Sequence, residues 1–150
     1  MPEASGARSA RLVMAFDFGQ RRIGVACGDT LSATATPLAA VLAGPGGQQW
    51  AAIGALVRDW QPALAVVGLP YNVDGSESKQ TTAARAFAGE LEARYSLHVE
   101  LIDERYSSLE AQQRLQQARE TGVRKRRVGK ADIDAAAACI ILERWITENS

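Results

Sequence analysis

The chain has 150 residues and a mass of 16.1 kDa, with 47% hydrophobic and 23% charged residues, amounts that fit one globular domain with a sizeable core and leave no room for two. Seventeen Lys and Arg balance seventeen Asp and Glu, so no net positive field draws in a polyanion and any nucleic-acid contact must come from local clustering. No apolar run approaches the roughly 18 residues of a membrane-spanning helix, and Cys27 and Cys139, set among Val25, Ala26, Ile140 and Ile141, read as buried core residues of a soluble cytoplasmic protein rather than as a disulfide.

Residues 1–10 are small and polar, without the apolar or Arg-rich pattern of a targeting peptide, and read as a flexible tail ahead of a single domain over 11–150. Two apolar runs, Arg11 to Phe18 and Ile23 to Cys27, flank the turn Gly19 to Arg22 and predict an antiparallel hairpin. Ser32 to Leu42 supplies a third strand that Pro37 either breaks or confines to an edge. After the loop Gly44 to Gly47, the spacing of Trp50, Ile53, Leu56, Val57 and Trp60 predicts an amphipathic helix ending at Pro62.

Ala63 to Gly68 is short, almost wholly apolar and bounded by prolines, as a parallel strand covered on both faces should be. Ala83, Ala86, Phe87 and Leu91 mark a helix from Lys79 to Arg94, and Leu97 to Ile102 alternates as a further strand. Ser107 to Ala118 is expected to be helical behind a Ser107 or Ser108 cap, and Asp132 to Ile146 forms a last, alanine-rich helix. The order predicts an α/β domain, a mixed five-stranded sheet with helices on both faces. A pure dinucleotide-binding fold fits less well, because no Gly-x-Gly-x-x-Gly follows the first strand.

Three sets of acidic residues stand out from this pattern. Asp17 interrupts the apolar run Leu12 to Phe18, where a carboxylate must be paired, metal-bound or exposed in a cleft. The plainer reading makes it a turn cap beside Arg21 or Arg22. Asp103 and Glu104 place at least one carboxylate at the C-terminal end of a strand, where ligand sites of α/β sheets collect; the alternative is a local salt bridge with Arg105. Asp134 shares a helix face with Ala138, Ile141 and Trp145, whereas Asp132 leads to Ala136, Cys139 and Glu143 and suits an N-cap.

Carboxylates from two strand ends and one helix start can converge on an oxygen-liganded divalent cation, the chemistry of phosphodiester hydrolysis. The single histidine, His98, reads as structural, which argues against a histidine zinc site and a Ser-His-Asp hydrolase. Arg119, Arg124, Lys125, Arg126, Arg127 and Lys130 crowd into one segment just ahead of Asp134. That is either a solvated loop or a contact for a phosphate backbone.

With these sites placed, the chain resembles the YqgF/RuvX-like family of the ribonuclease H-like fold from about Leu12 to Ile146. The resemblance rests on FDFGQRRIGVACGD (Phe16 to Asp29), TPL (Thr36 to Leu38), VVGLPYNVDGSES (Val66 to Ser78), DERYSSLEA (Asp103 to Ala111) and GKADIDAAAACIILE (Gly129 to Glu143). Gln20 stands where the family usually carries Thr. The resemblance implies a nuclease dependent on Mg²⁺ or Mn²⁺, with Asp17, Glu104 and Asp134 as catalytic metal ligands. It also implies a nucleic-acid substrate: the 5′ end of pre-16S ribosomal RNA, with a ribosomal particle as partner, or a branched DNA junction. Arg22, Asn72, Arg105, Arg124, Lys125, Arg126, Arg127 and Lys130 are the expected substrate contacts, on a monomer or homodimer; Arg22 and Arg105 can equally pair with a carboxylate, and the Asn72 loop reads alternatively as a tight turn at Asp74-Gly75. A noncatalytic nucleic-acid-binding module is the alternative from a different class.

Overall fold

The computed structural model describes residues 11–104, 113–117 and 129–149. Strands β1 (Leu12–Phe18) and β2 (Arg22–Asp29) form the expected hairpin, in continuous antiparallel register from Leu12 opposite Asp29 to Phe18 opposite Ile23. Strand β3 (Thr34–Leu42) adds to the outer side of β2. Its register shifts where Val25 faces Ala39 but Ala26 faces Pro37, leaving Leu38 as the extra residue of a bulge. Pro37 therefore takes the edge position, as a residue without a backbone N–H must.

Helix α1 (Gln49–Trp60) stops at Gln61, which turns left-handed at φ 47° and donates its N–H to the Val57 carbonyl at 2.8 Å; Pro62 then prevents continuation. Strand β4 (Leu64–Leu69) is buried at every residue and runs parallel to β1, as its apolar run requires. Helix α2 (Lys79–Tyr95) starts at a reciprocal cap: Ser78 Oγ accepts the Thr81 N–H at 3.3 Å while Thr81 Oγ1 accepts the Ser78 N–H at 3.0 Å. Strand β5 (Val99–Asp103) pairs parallel to β4 and begins two residues later than the sequence pattern places it, after the left-handed Ser96 that caps α2.

The last helix, α3 (Lys130–Glu148), starts two residues before the expected Asp132. Gly129 is the N-cap, and Asp132 sits at the third helical position, where its Oδ2 accepts the Gly129 N–H at 3.0 Å. Asp132 thus satisfies the helix terminus from inside the helix rather than as the cap. Residues 113–117 are helical; the rest of the helix expected over Ser107 to Ala118 lies outside the described residues, as does the N-terminal tail.

The sheet order is β3-β2-β1-β4-β5, with α1 and α2 on one face and α3 on the other. Strand alternation divides the core accordingly. Met14, Phe16, Ile23, Val25, Ala65 and Val67 meet α1 and α2, whereas Val13, Ala15, Leu64, Val66 and Ile102 meet Ile141, Leu142 and Trp145 of α3. Cys27 and Cys139 are free and buried, and burial pushes the Cys139 thiol up to about 12. No described helix is long and apolar enough to cross a membrane.

Candidate active site

The period of two that builds the α3-facing core carries it into chemistry at one end of the sheet. Continuing the series Val13, Ala15 along β1 reaches Asp17, and continuing Glu100, Ile102 along β5 reaches Glu104. Glu104 is one residue past β5, but its N–H still donates to the Leu69 carbonyl at 3.1 Å, so the ladder fixes its direction. Alternation therefore selects Glu104, rather than Asp103, as the carboxyl that looks toward α3.

Glycines let the third acid approach. Gly24 is the cross-strand partner of Asp17, and a methyl there would collide with the Asp134 carbonyl oxygen. A methyl at Gly68 would come within 2.6 Å of Ile141 Cδ1 and 2.9 Å of Glu104 Cβ. With Ala26 and Gly28, which also face α3, β2 presents small residues there beyond Arg22, so the helix backbone rests on the sheet and carries Asp134 to the Asp17 end.

The electrostatics follow from burial. Asp17 is half-buried, whereas Glu104 is only 7% exposed. Desolvation, offset in part by a hydrogen bond from Glu104 and reinforced by the Asp134 charge, pushes the Asp17 carboxyl from its ordinary 3.8 to about 6. Desolvation, then the Asp17 charge and the shared hydrogen bond, pushes Glu104 from 4.5 to about 10, with Arg144 acting in the opposite sense. The two carboxyls interact, and burial together with their mutual repulsion raises the proton affinity of the pair.

Asp134 has a different partner. Its Oδ2 accepts a hydrogen bond from Arg22 Nε at 2.6 Å across 112 residues of sequence. Arg22, expected as a substrate contact, is thus the counter-ion of an acid in the same cluster. Asn72 is turned into its own loop, its Nδ2 donating to Ser76 Oγ at 2.9 Å while Asp74 Oδ1 accepts the Ser76 N–H at 2.9 Å. Arg105, Arg124, Lys125, Arg126 and Arg127 lie outside the described residues, as does the side chain of Lys130. His98 is exposed, with Nε2 3.2 Å from Glu100 Oε2.

Sequence reasoning missed Arg144, which donates to the Asp103 carbonyl at 3.4 Å and lowers the proton affinity of Glu104. Its only signal is a charged residue flanking the apolar stripe Ile141 and Trp145 on α3. It also missed the pairing of Glu100 with Trp145, whose Nε1 donates to Glu100 Oε1 at 2.7 Å.

Hard carboxylate oxygens on three elements are the donor type that Mg²⁺ or Mn²⁺ takes. Two desolvated carboxyls that raise each other's proton affinity form a site short of positive charge, which a divalent cation could supply. As placed, no three Asp, Glu, His or Cys side chains among the described residues converge closely enough to hold one ion together. A cavity of about 560 Å³ between β3 and α1, lined by Ala39, Leu42, Ala52 and Leu56, lies on the α1 side of the sheet, with no acid in its wall.

A hairpin and third strand joined to two parallel strands, with a helix crossing β1 and β2, is the ribonuclease H-like fold. Solved structures of that fold match over nearly the whole chain. The Thermus thermophilus RuvC in complex with a Holliday junction substrate does so with a TM-score of 0.56 at 13% identity, over 93% of this chain and 95% of that one. The fowlpox virus resolvase with its substrate Holliday junction DNA gives 0.55 at 9% identity, over 92% and 98%. Residues 11–148 match the sequence profile of the family described as "RuvX: Holliday junction resolvase". Two proteins named "Putative pre-16S rRNA nuclease" are each 45% identical: that of Xanthomonas campestris pv. campestris strain 8004 over 98% of this chain and 94% of its own, and that of Chromobacterium violaceum over 90% and 96%. The chain belongs to the RuvX family, a family of nucleases, hydrolases that act on ester bonds.

Proposed function

We propose that the protein is a divalent-metal-dependent nuclease that hydrolyses phosphodiester bonds at the 5′ end of pre-16S ribosomal RNA, with Asp17, Glu104 and Asp134 as the ligands of Mg²⁺ or Mn²⁺. The observation that carries it is the placement of two desolvated carboxyls, Asp17 and Glu104, at the ends of β1 and β5, with α3 bringing Asp134 to Gly24 beside Asp17. When bound, the cation supplies Lewis-acid stabilisation of the charge that builds on the phosphoryl oxygens. The chain's own residues do the rest. Glu104 and Asp17 hold their oxygens in fixed directions through the strand ladders, and Arg144 offsets part of the burial cost of Glu104. Arg22, Asn72, Arg105 and the basic run Arg124, Lys125, Arg126, Arg127 and Lys130 contact the substrate backbone. The setting is the cytoplasm, with pre-ribosomal RNA or a ribosomal particle as partner and the protein a monomer or homodimer over its single domain.

Cleavage of a four-way DNA junction is the second reading, favoured by the description attached to the family profile. Wild type and Asp17→Asn, each with Mg²⁺ and with Mn²⁺, are to be assayed on a labelled pre-16S leader RNA, a four-way DNA junction and plain duplex DNA. The expected result is cleavage of the leader, reduced on the order of a thousand-fold in the variant, the several kcal/mol a metal centre contributes. Symmetric junction cutting reverses the ranking. Absence of cleavage by a folded protein that still binds RNA moves the reading to a binding module.

A further inference from the structure

Asp134 is held in a direct ion pair, its Oδ2 accepting from Arg22 Nε. The Arg22 and Asp134 side chains are 31% and 22% exposed, so their 2.6 Å contact is not a solvent-screened surface bridge. Both ends are held by backbone. Arg22 opens β2 and stands two residues before Gly24, the partner of Asp17, while Asp134 is pinned where α3 rests on Gly24. The guanidinium therefore holds Asp134 Oδ2 in place, and as placed the three acids do not form one ligand group.

We propose that Arg22 is a positioning residue that competes with the divalent cation for Asp134, and that the guanidinium released on cation binding passes to the substrate phosphate. The proposal rests on Asp134 being a cation ligand. With Oδ2 held in so short a charge-assisted bond, Asp134 offers a divalent ion only its other oxygen until the pair opens, and ion and guanidinium repel each other across one carboxylate, so the two compete. Because a phosphate that takes up the guanidinium also removes the competitor, cation and nucleic acid bind with positive coupling, each raising the affinity for the other.

The test follows the Arg22 Nε–Hε proton by ¹⁵N NMR during a Mg²⁺ titration, and measures Mn²⁺ affinity by calorimetry for wild type, Arg22→Gln and Arg21→Gln. Arg21 is exposed and controls for the loss of one positive charge without the loss of the pair. The expected result is a shift of the Arg22 resonance as Mg²⁺ binds. Arg22→Gln should bind Mn²⁺ about ten-fold more tightly, the worth of one charge-assisted bond, and Arg21→Gln within about two-fold of wild type, as a screened surface charge should be. A resonance that stays fixed at saturating Mg²⁺, or equal affinities in the two variants, overturns the proposal, and the resonance needs no variant to fold. Failure of all three proteins to bind either cation overturns the underlying metal-site reading instead.

Discussion

On one face of the sheet Phe87 meets Phe16 edge-on at 5.8 Å and stacks on Phe18 at 4.9 Å and on Trp50 at 5.3 Å, with Arg94 lying 4.4 Å over the Trp50 ring. On the other face β2 offers Gly24, Ala26 and Gly28, and α3 meets them with Ala138, Cys139 and its own backbone. The first face gains stability from aromatic area and keeps its helices at a distance. The second gives up area to bring backbones together and buries two carboxyls beside them, at a cost in free energy that the first face offsets. Stability and chemistry are thus assigned to opposite sides of the same five strands, and each side can be broken separately.

Phe87→Ala, which removes the hub of the aromatic face, should cost about 3–5 kcal/mol in denaturant unfolding while leaving the cleavage rate of the folded fraction near wild type. A rate that fell with stability would show that the faces are coupled. Gly24→Ala reverses the pattern: the methyl displaces α3 from the sheet, costing about 1–3 kcal/mol, and cleavage should be lost at temperatures where circular dichroism still reports a folded protein.

The third comparison uses pH. Asp17 and Glu104 have folded values, about 6 and about 10, above their unfolded values of 3.8 and 4.5. The folded state therefore holds more protons than the unfolded one, and stability falls as pH rises from about 4.5 toward 10. The slope is at most about 1.4 kcal/mol per pH unit for one retained proton. Thermal unfolding of the metal-free protein between pH 6 and 9, set beside Glu104→Gln, checks it. The variant should flatten the slope and be the more stable protein at the alkaline end, while Phe87→Ala lowers stability equally at every pH.

The aromatic face was the more legible of the two in the sequence. Period-of-two runs placed β1 and β2, the apolar run between prolines placed β4, and Pro37 marked the edge strand. Helix periodicity also picked Asp134 over Asp132 as the inward-facing acid, and Asp134 is the one found beside Gly24. The misses share one cause. Which elements are neighbours decides that the Asp134 backbone rests on Gly24 and that Gly68 lies under Glu104, and a single sequence carries no record of sheet order or helix placement. The Arg22 and Asp134 pair, separated by 112 residues, is of the same kind. The start of α3 was misplaced for a local reason: an Asp at the third helical position can satisfy the terminus as well as one at the cap.

The bulge at Leu38 beside Pro37 has a consequence for the protein in concentrated solution. Among the described residues β3 is paired on one side only, and an unpaired strand is a template on which another chain can add its own. Pro37 offers no N–H to an incoming strand, and the extra residue shifts the remaining donors and acceptors out of step. The margin of the sheet is therefore a poor seed for strand-by-strand growth, so the apolar side chains nearby, such as the 67% exposed Leu42, do not lie along an edge that invites fibril assembly.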